Sequence, residues 1–289
     1  MNDRISQEAI DLYDRFTHDG MDRRDFIARM TAIAGSAAAA ELMIAAIAAS
    51  PAAAALVAEG DPRIKAQSIQ LPLPGIPTYR AYRATPVRKS GLGTVIVIHE
   101  NRGLNDHIRD VTRRLAVAGF PAIAPDFLSP LGGTPSDENV ARDMIGKLDL
   151  GQSVSHAVAH LKALKKATGK KVGTVGFCWG GAFVDRLAVA AGRDLSAAVS
   201  YYGPAPDPRE AVKVQAPMLL HYADLDTRVA QTGKPWVAAL KAASKKVEVF
   251  DYPGVNHAFN NDTSAERYNK AAADLAWKRT LAFFRANLK

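Results

Sequence analysis

The chain has a single cysteine, Cys178, so no disulfide can form within it. Stability must come from packing, and 289 residues with 48% apolar content suffice for a core without covalent staples. The lone thiol leaves the redox compartment unreadable and makes its local setting more informative than its number. No unbroken apolar run reaches the roughly 20 residues of a membrane-spanning helix, so no stable membrane span is expected. Zinc-finger, RRM and helix-turn-helix signatures are missing too. The basic excess, 37 Lys and Arg against 29 Asp and Glu, is therefore read as solvated surface. Cations such as Lys165-Lys166 would sit at helix C-termini, and no nucleic-acid partner is expected. His156 and His160 stand four apart but lack the glutamate of the zinc-protease spacing, so neither a metal nor any other cofactor is expected. Oligomeric state is not readable from the chain.

Charge is unevenly placed. Residues 1–60 carry five Lys and Arg against nine Asp and Glu, which leaves +12 on the remaining chain. Two readings of this N-terminal extension stay open. Arg23-Arg24-Asp25-Phe26-Ile27, an alanine-rich run from Met30 broken at Glu41 and Pro51, and Ala53-Ala54-Ala55 ahead of Leu56 resemble a twin-arginine export signal with a cleavage site. That reading implies a periplasmic protein. Alternatively, Ile5, Ala9, Ile10, Tyr13 and Phe16 recur at helical spacing, His18-Asp19-Gly20 reads as a turn, and Asp22 is suited to cap a second helix. A folded helical extension on a cytoplasmic protein follows from that.

Residues 61–289 read as one domain of alternating strands and helices, with no repeat or low-complexity linker. Strands are expected at Tyr79–Thr85, Thr94–His99, Ala122–Ala124, Lys171–Gly176, Ala197–Tyr202, Met218–His221 and Val247–Tyr252. The continuous apolar runs among them suit a parallel sheet buried on both faces. Helices are expected around Ile108–Ala118, from about Asp137, over Val154–Lys166, from about Gly180, and at the C-terminus with Tyr268, Ala272, Leu275, Phe283 and Phe284 on one face. Regular alternation implies a mostly parallel sheet covered by helices on both sides.

Gly176-Phe177-Cys178-Trp179-Gly180 has the G-x-nucleophile-x-G form of a nucleophile elbow, with cysteine in the nucleophile's place. A strand leads in and a helix leads out, which is the context this motif requires. A thiol at a helix N-terminus gains from the exposed N–H groups and the dipole, and the N–H of Trp179 would face a developing oxyanion. In nucleophile–acid–histidine order, Asp226 follows the Met218–His221 strand and His257 follows the last strand. Asp224 is read as a capping or loop residue. His99 and His221, at strand ends, are read as hydrogen-bonded core histidines.

These residues resemble the dienelactone hydrolase (carboxymethylenebutenolidase) family from about residue 75 to the C-terminus. The resemblance rests on the cysteine elbow, Asp226, Gly254-Val-Asn-His257-Ala-Phe, Ile98-His99-Glu100-Asn101-Arg102-Gly103, and Ala122-Ile-Ala-Pro-Asp126. It implies the α/β-hydrolase fold and hydrolysis of a small-molecule ester or lactone. It also implies a fourth catalytic position at Glu100, holding the resting thiol, and a second oxyanion donor in the N–H of Asn101. From the residues alone, Glu100 ends a buried strand beside the elbow, and a buried salt bridge to Arg102 or Arg109 is the alternative. The implied cycle runs through a thioester on Cys178, with His257 moving the proton and Asp226 orienting it. Family members bind a substrate carboxylate through arginines, one of them four residues past the histidine. Here that position is Asn261, with Arg102 and Arg228 as substitutes from neighbouring loops. A non-catalytic binding protein on the same fold, or a hydrolase of another acyl substrate, are the alternatives.

Overall fold

The computed structural model describes residues 5–18, 21–48, 56–88, 90–264 and 266–289. Its centre is an eight-stranded sheet in the order β1-β2-β4-β3-β5-β6-β7-β8. The strands are β1 (Ile64–Leu73), β2 (Ile76–Pro86), β3 (Thr94–Ile98), β4 (Ala122–Pro125), β5 (Val172–Phe177), β6 (Ala197–Tyr201), β7 (Met218–Ala223) and β8 (Val247–Tyr252). β2 pairs antiparallel with β1 and β4, and every other pairing is parallel. β1 escaped the sequence reading. It is an edge strand mostly open to solvent, with Gln67, Ser68 and Gln70 along it, so it lacks the apolar run that marked the inner strands.

Among the described residues, three helices precede the sheet: α1 (Gln7–His18), α2 (Arg23–Ala34) and α3 (Ala37–Ala48). The sheet is then covered by α4 (Asp106–Val117), α5 (Glu138–Ile145), α6 (Leu150–Thr168), α7 (Trp179–Ala191), α8 (Thr227–Ala242) and α9 (Lys270–Asn287). β3 shows why both faces must be covered. Val95 and Val97 point into a core shared with Ile108, Val111 and Leu115 of α4 and Phe283 and Phe284 of α9. Ile96 and Ile98 point into the other, with Leu161 of α6, Phe183 of α7 and Trp236 of α8. Period-two alternation thus divides one apolar run between two cores. Each such side chain contributes about 1.5–3 kcal/mol on burial.

Helix boundaries follow their caps. Asp137 accepts from Asn139 and Val140 at the start of α5, and Asp149 caps α6 by accepting from Gln152. That cap starts α6 at Leu150, before the apolar spacing begins. α8 was not expected at all. In α9 the buried stripe is Ala272, Ala273, Ala276, Thr280, Phe283 and Phe284. Leu275 is 43% exposed and Tyr268 precedes the helix, so the expected face was rotated by these two residues.

The N-terminal helices enclose their own apolar cluster. Ala9, Ile10, Leu12 and Tyr13 of α1 meet Phe26 and Met30 of α2 and Ala40 and Ile47 of α3, and Phe16 stacks on Phe26 at 4.1 Å. Asp22 caps α2 as expected, accepting from Arg24 and Asp25. Ala53-Ala54-Ala55, Pro51 and the 19–20 part of the expected turn lie outside the described residues. No single described helix is long and apolar enough to cross a membrane.

Candidate active site

The site lies where the carboxyl ends of β3, β5, β7 and β8 converge. β5 ends at Phe177, and Cys178 carries the chain into α7 with φ 56° and ψ −115°. A non-glycine residue with positive φ is strained, which is the conformation of a nucleophile elbow. The flanking glycines are forced by close approach. A Cβ on Gly176 would stand 2.1 Å from the carbonyl oxygen of Gly180, and one on Gly180 would stand 2.5 Å from the carbonyl oxygens of Ile98 and His99. Neither position admits a side chain while α7 sits this close to β3 and β5. Cys178 is 4% exposed at the N-terminus of α7. Trp179 is the first residue of that helix, and first-turn N–H groups have no partner within a helix.

Asp226 follows β7, caps α8 by accepting from the Val229 N–H at 3.0 Å, and pairs with His257. The cap is therefore Asp226 itself, while Asp224 lies in the turn before it, its N–H donating to the Tyr252 carbonyl. His257 Nδ1 donates to Asp226 Oδ2 at 2.5 Å, with both side chains almost wholly buried. Burial on its own would depress the imidazole pKa, but the charge of Asp226, the charge of Cys178 and hydrogen bonds to both raise it to about 10. Burial likewise works against the Asp226 carboxylate, and His257 outweighs it, holding that pKa below its ordinary value.

Glu100 lies two residues past the end of β3, after His99. Its Oε2 accepts from Asn261 Nδ2 at 2.6 Å, while Asn261 Oδ1 accepts from the backbone and hydroxyl of Thr263. Its Oε1 is buried with no hydrogen-bond partner among the described residues. Arg102 instead pairs with Glu138 at 2.5 Å and donates to the Tyr13 hydroxyl at 3.0 Å. Arg109 donates to Ser68 and lies over the Tyr82 ring. The salt-bridge alternative for Glu100 is not what these two arginines do. Asn261, expected among the substrate-binding residues, holds Glu100 from within the protein. Arg102 and Asn101 line the same cavity as Cys178, His257 and Glu100, whereas Arg228 lines a neighbouring hollow with Asp11, Asp14 and Asn256.

Two supports were not legible in the sequence. Tyr202, at φ 40°, is fully buried with its ring 5.0 Å from that of His257. Burial first, then the nearby Glu100 and Cys178, raises its phenol well above the ordinary value. Its position just past β6, beside the elbow strand, was the available signal. The second support is Asp262, which receives His107 Nδ1 at 2.9 Å and also pairs with Arg114, tying the 257–262 loop to α4.

His99, His156, His160 and His221 settle as packing groups. His99 Nε2 accepts from the Phe127 N–H at 3.1 Å, so Nδ1 carries the proton and donates to the Glu100 carbonyl at 2.7 Å. That neutral tautomer fixes the turn bearing Glu100 and Asn101. His221 is buried between Tyr252 and Thr280, His156 bonds Tyr79, and His160 is buried with its pKa depressed to about 4, chiefly by burial.

Comparison with known proteins places this architecture. The dienelactone hydrolase family model matches residues 79–288, and a YqhI-like model matches residues 2–34. An Escherichia coli K12 protein named "Putative carboxymethylenebutenolidase" is 34% identical over 256 residues, covering 82% of this chain and 93% of its own. A Saccharolobus solfataricus protein of the same name is 31% identical over 71% of this chain and 93% of its own. The crystal structure titled "Putative Dienelactone Hydrolase" from Klebsiella pneumoniae superposes with a TM-score of 0.69 at 31% identity, covering 77% of this chain and 98% of that one. A dienelactone hydrolase from Anabaena variabilis, at 20% identity and a TM-score of 0.62 over 78% of this chain and all of its own, shares the fold. The protein has the α/β-hydrolase fold and belongs to the dienelactone hydrolase family of ester and lactone hydrolases.

Proposed function

We propose that the chain hydrolyses a small-molecule ester or lactone through a Cys178–His257–Asp226 triad and a thioester intermediate. The observation that carries this reading is the buried Asp226–His257 pair, 2.5 Å apart, whose imidazole interacts with the thiol on a strained elbow. An imidazolium with a pKa near 10 stays charged at neutral pH and attracts a Cys178 thiolate.

The cycle follows from those charges. The thiolate adds to the acyl carbon, and the carbonyl oxygen takes the negative charge, facing the N–H groups of Trp179 and Asn101. Collapse re-forms the carbonyl and breaks the bond to the leaving oxygen, which takes the proton from His257 Nε2. Neutral His257 then removes a proton from water, the hydroxide adds to the thioester carbon, and collapse returns the thiolate, the imidazolium and a free acid. Asp226 fixes the imidazole's orientation throughout. A thiolate departs readily from a tetrahedral intermediate, so substrates with good leaving groups, enol esters and lactones among them, should turn over fastest. Glu100, held by Asn261, borders the same cavity and acts on the thiol's environment rather than on the substrate.

The test is a panel of neutral and carboxylate-bearing aryl esters and enol lactones, assayed with wild type, Cys178→Ala and His257→Ala. Hydrolysis of at least one substrate that disappears in both variants is expected. Wild-type turnover retained in Cys178→Ala would overturn the reading.

A further inference from the structure

α1 makes few contacts of its own with the sheet, yet it is tied to several loops that border Cys178. Gln7 Nε2 donates to Asn256 Oδ1, next to His257, at 2.5 Å. The Thr17 carbonyl accepts from Asn101 Nδ2 at 3.4 Å. Tyr13 meets Arg102 through its hydroxyl at 3.0 Å, and Arg267 lies over its ring. Asp14 pairs with Arg267 at 3.0 Å, the two side chains being only 13% and 10% exposed. Tyr13 and Thr17 share a cavity wall with Glu100, Cys178, His257 and Arg267. Beneath this helix Cys178 is 4% and His257 2% exposed.

The charges are as specific as the contacts. Of the cations lining the cavity, Arg102 is matched by Glu138 and Arg267 by Asp14. Burial raises the Asp14 carboxyl above its ordinary value, and Arg267 opposes that rise most, followed by His257, which puts the carboxylate within electrostatic range of the reacting imidazole. With Glu100 and Glu138 also on the wall, an anionic substrate meets a cavity whose positive charge is already neutralised.

We propose that α1 is the specificity-determining wall of this site, and that Asp14, by cancelling the charge of Arg267, makes the cavity select uncharged acyl substrates. The proposal rests on the hydrolase reading for the word substrate, but its electrostatic content does not need turnover. Cys178 is the only cysteine, so alkylation reports on this cavity alone. Iodoacetamide and iodoacetate are closely matched in size and differ by one negative charge.

The experiment measures the alkylation rate constants of both reagents on the full chain, as wild type, Asp14→Asn, Asp14→Asn/Arg267→Gln and Glu8→Gln. Uncovering the charge of Arg267, which lines the same cavity as Cys178, should raise the iodoacetate-to-iodoacetamide ratio roughly tenfold in Asp14→Asn. The double variant should return towards wild type. Glu8→Gln changes net charge equally on the exposed side of α1 and should leave the ratio alone. An unchanged ratio in Asp14→Asn overturns the proposal, including the case where both reagents accelerate together because the helix has merely loosened. An equal change in Glu8→Gln overturns it too. Parallel hydrolysis of a neutral and a carboxylate-bearing p-nitrophenyl ester should show the same shift in kcat/KM. Failure of wild type to cleave either ester counts against the hydrolase reading, while the alkylation ratio still decides the role of Asp14.

Discussion

Gly176→Ala tests whether the elbow, rather than the cysteine alone, makes the site. A Cβ at this position would lie 2.1 Å from the Gly180 carbonyl oxygen, 2.4 Å from its carbon and 2.9 Å from Val184 Cγ2. Relief to an ordinary contact of 3.4 Å requires α7 to retreat from β5 by roughly 1.3 Å, and the obstacle is backbone, which cannot rotate aside. Overpacking of this kind costs about 1–3 kcal/mol, and the rigid partner puts Gly176→Ala near about 3 kcal/mol. A retreat of about 1 Å also moves Cys178 against His257, and misplacement on that scale costs up to about 100-fold in rate. Gly60→Ala is the control, because a Cβ there meets nothing within 4 Å. Urea unfolding reads the first effect, and iodoacetamide labelling of Cys178 with ester turnover reads the second. Wild-type stability and wild-type labelling in Gly176→Ala would refute the steric account of the elbow.

Asp226→Asn removes the carboxylate charge that does most to raise the His257 pKa, so that pKa should fall from about 10 and turnover should drop by about 10²–10⁴-fold. His257 is raised on folding, so its stabilising contribution is complete below about pH 6.5 and is lost as pH rises through about 10. The destabilisation by Asp226→Asn should accordingly be large at pH 7 and shrink towards pH 10 in urea titrations. Asn261→Ala leaves the buried Glu100 carboxylate without its amide donor and should cost about 1–3 kcal/mol and slow Cys178 labelling. Asp185 is wholly buried, and burial raises its carboxyl well above 3.8. Its contribution to stability is therefore present at low pH and lost as pH rises, so Asp185→Asn should gain on wild type as pH rises above the ordinary carboxylate value of 3.8. Sequencing the N-terminus of chain recovered from its native host separates the two readings of residues 1–60. A mature chain starting at Leu56 supports export and cleavage, and retention of Gln7–His18 supports the folded extension.

β3, β6 and β7 were legible because each carries a buried, largely apolar run that two cores must share. β1 was not, since an edge strand with one solvated side carries polar residues at the same spacing as a loop. Cys178, Asp226 and His257, the proposed triad, were singled out by their order along the chain and their places after strands. What could not be read was how side chains are shared between distant segments. Asn261 stands where the resemblance implies a substrate arginine, but its amide is spent on Glu100, 161 residues away. Arg102 lines the cavity with Cys178, but Tyr13 and Glu138 hold it. Neither pairing leaves a periodicity or motif in the sequence. The folding of α1 across the site mouth was equally invisible, because helical spacing in Ile5–Phe16 says which face is apolar and nothing about which loops the other face will meet.

The central claim is that the acyl group passes through the Cys178 sulfur. Intact-protein and peptide mass spectrometry, after acid quenching of a p-nitrophenyl acetate reaction in its first turnovers, tests it directly. The account predicts one acetyl group on Cys178, accumulating in His257→Ala if that variant still acylates, and no adduct in Cys178→Ala. An acetyl group on another residue on the path to product, or undiminished hydrolysis without Cys178, would contradict it.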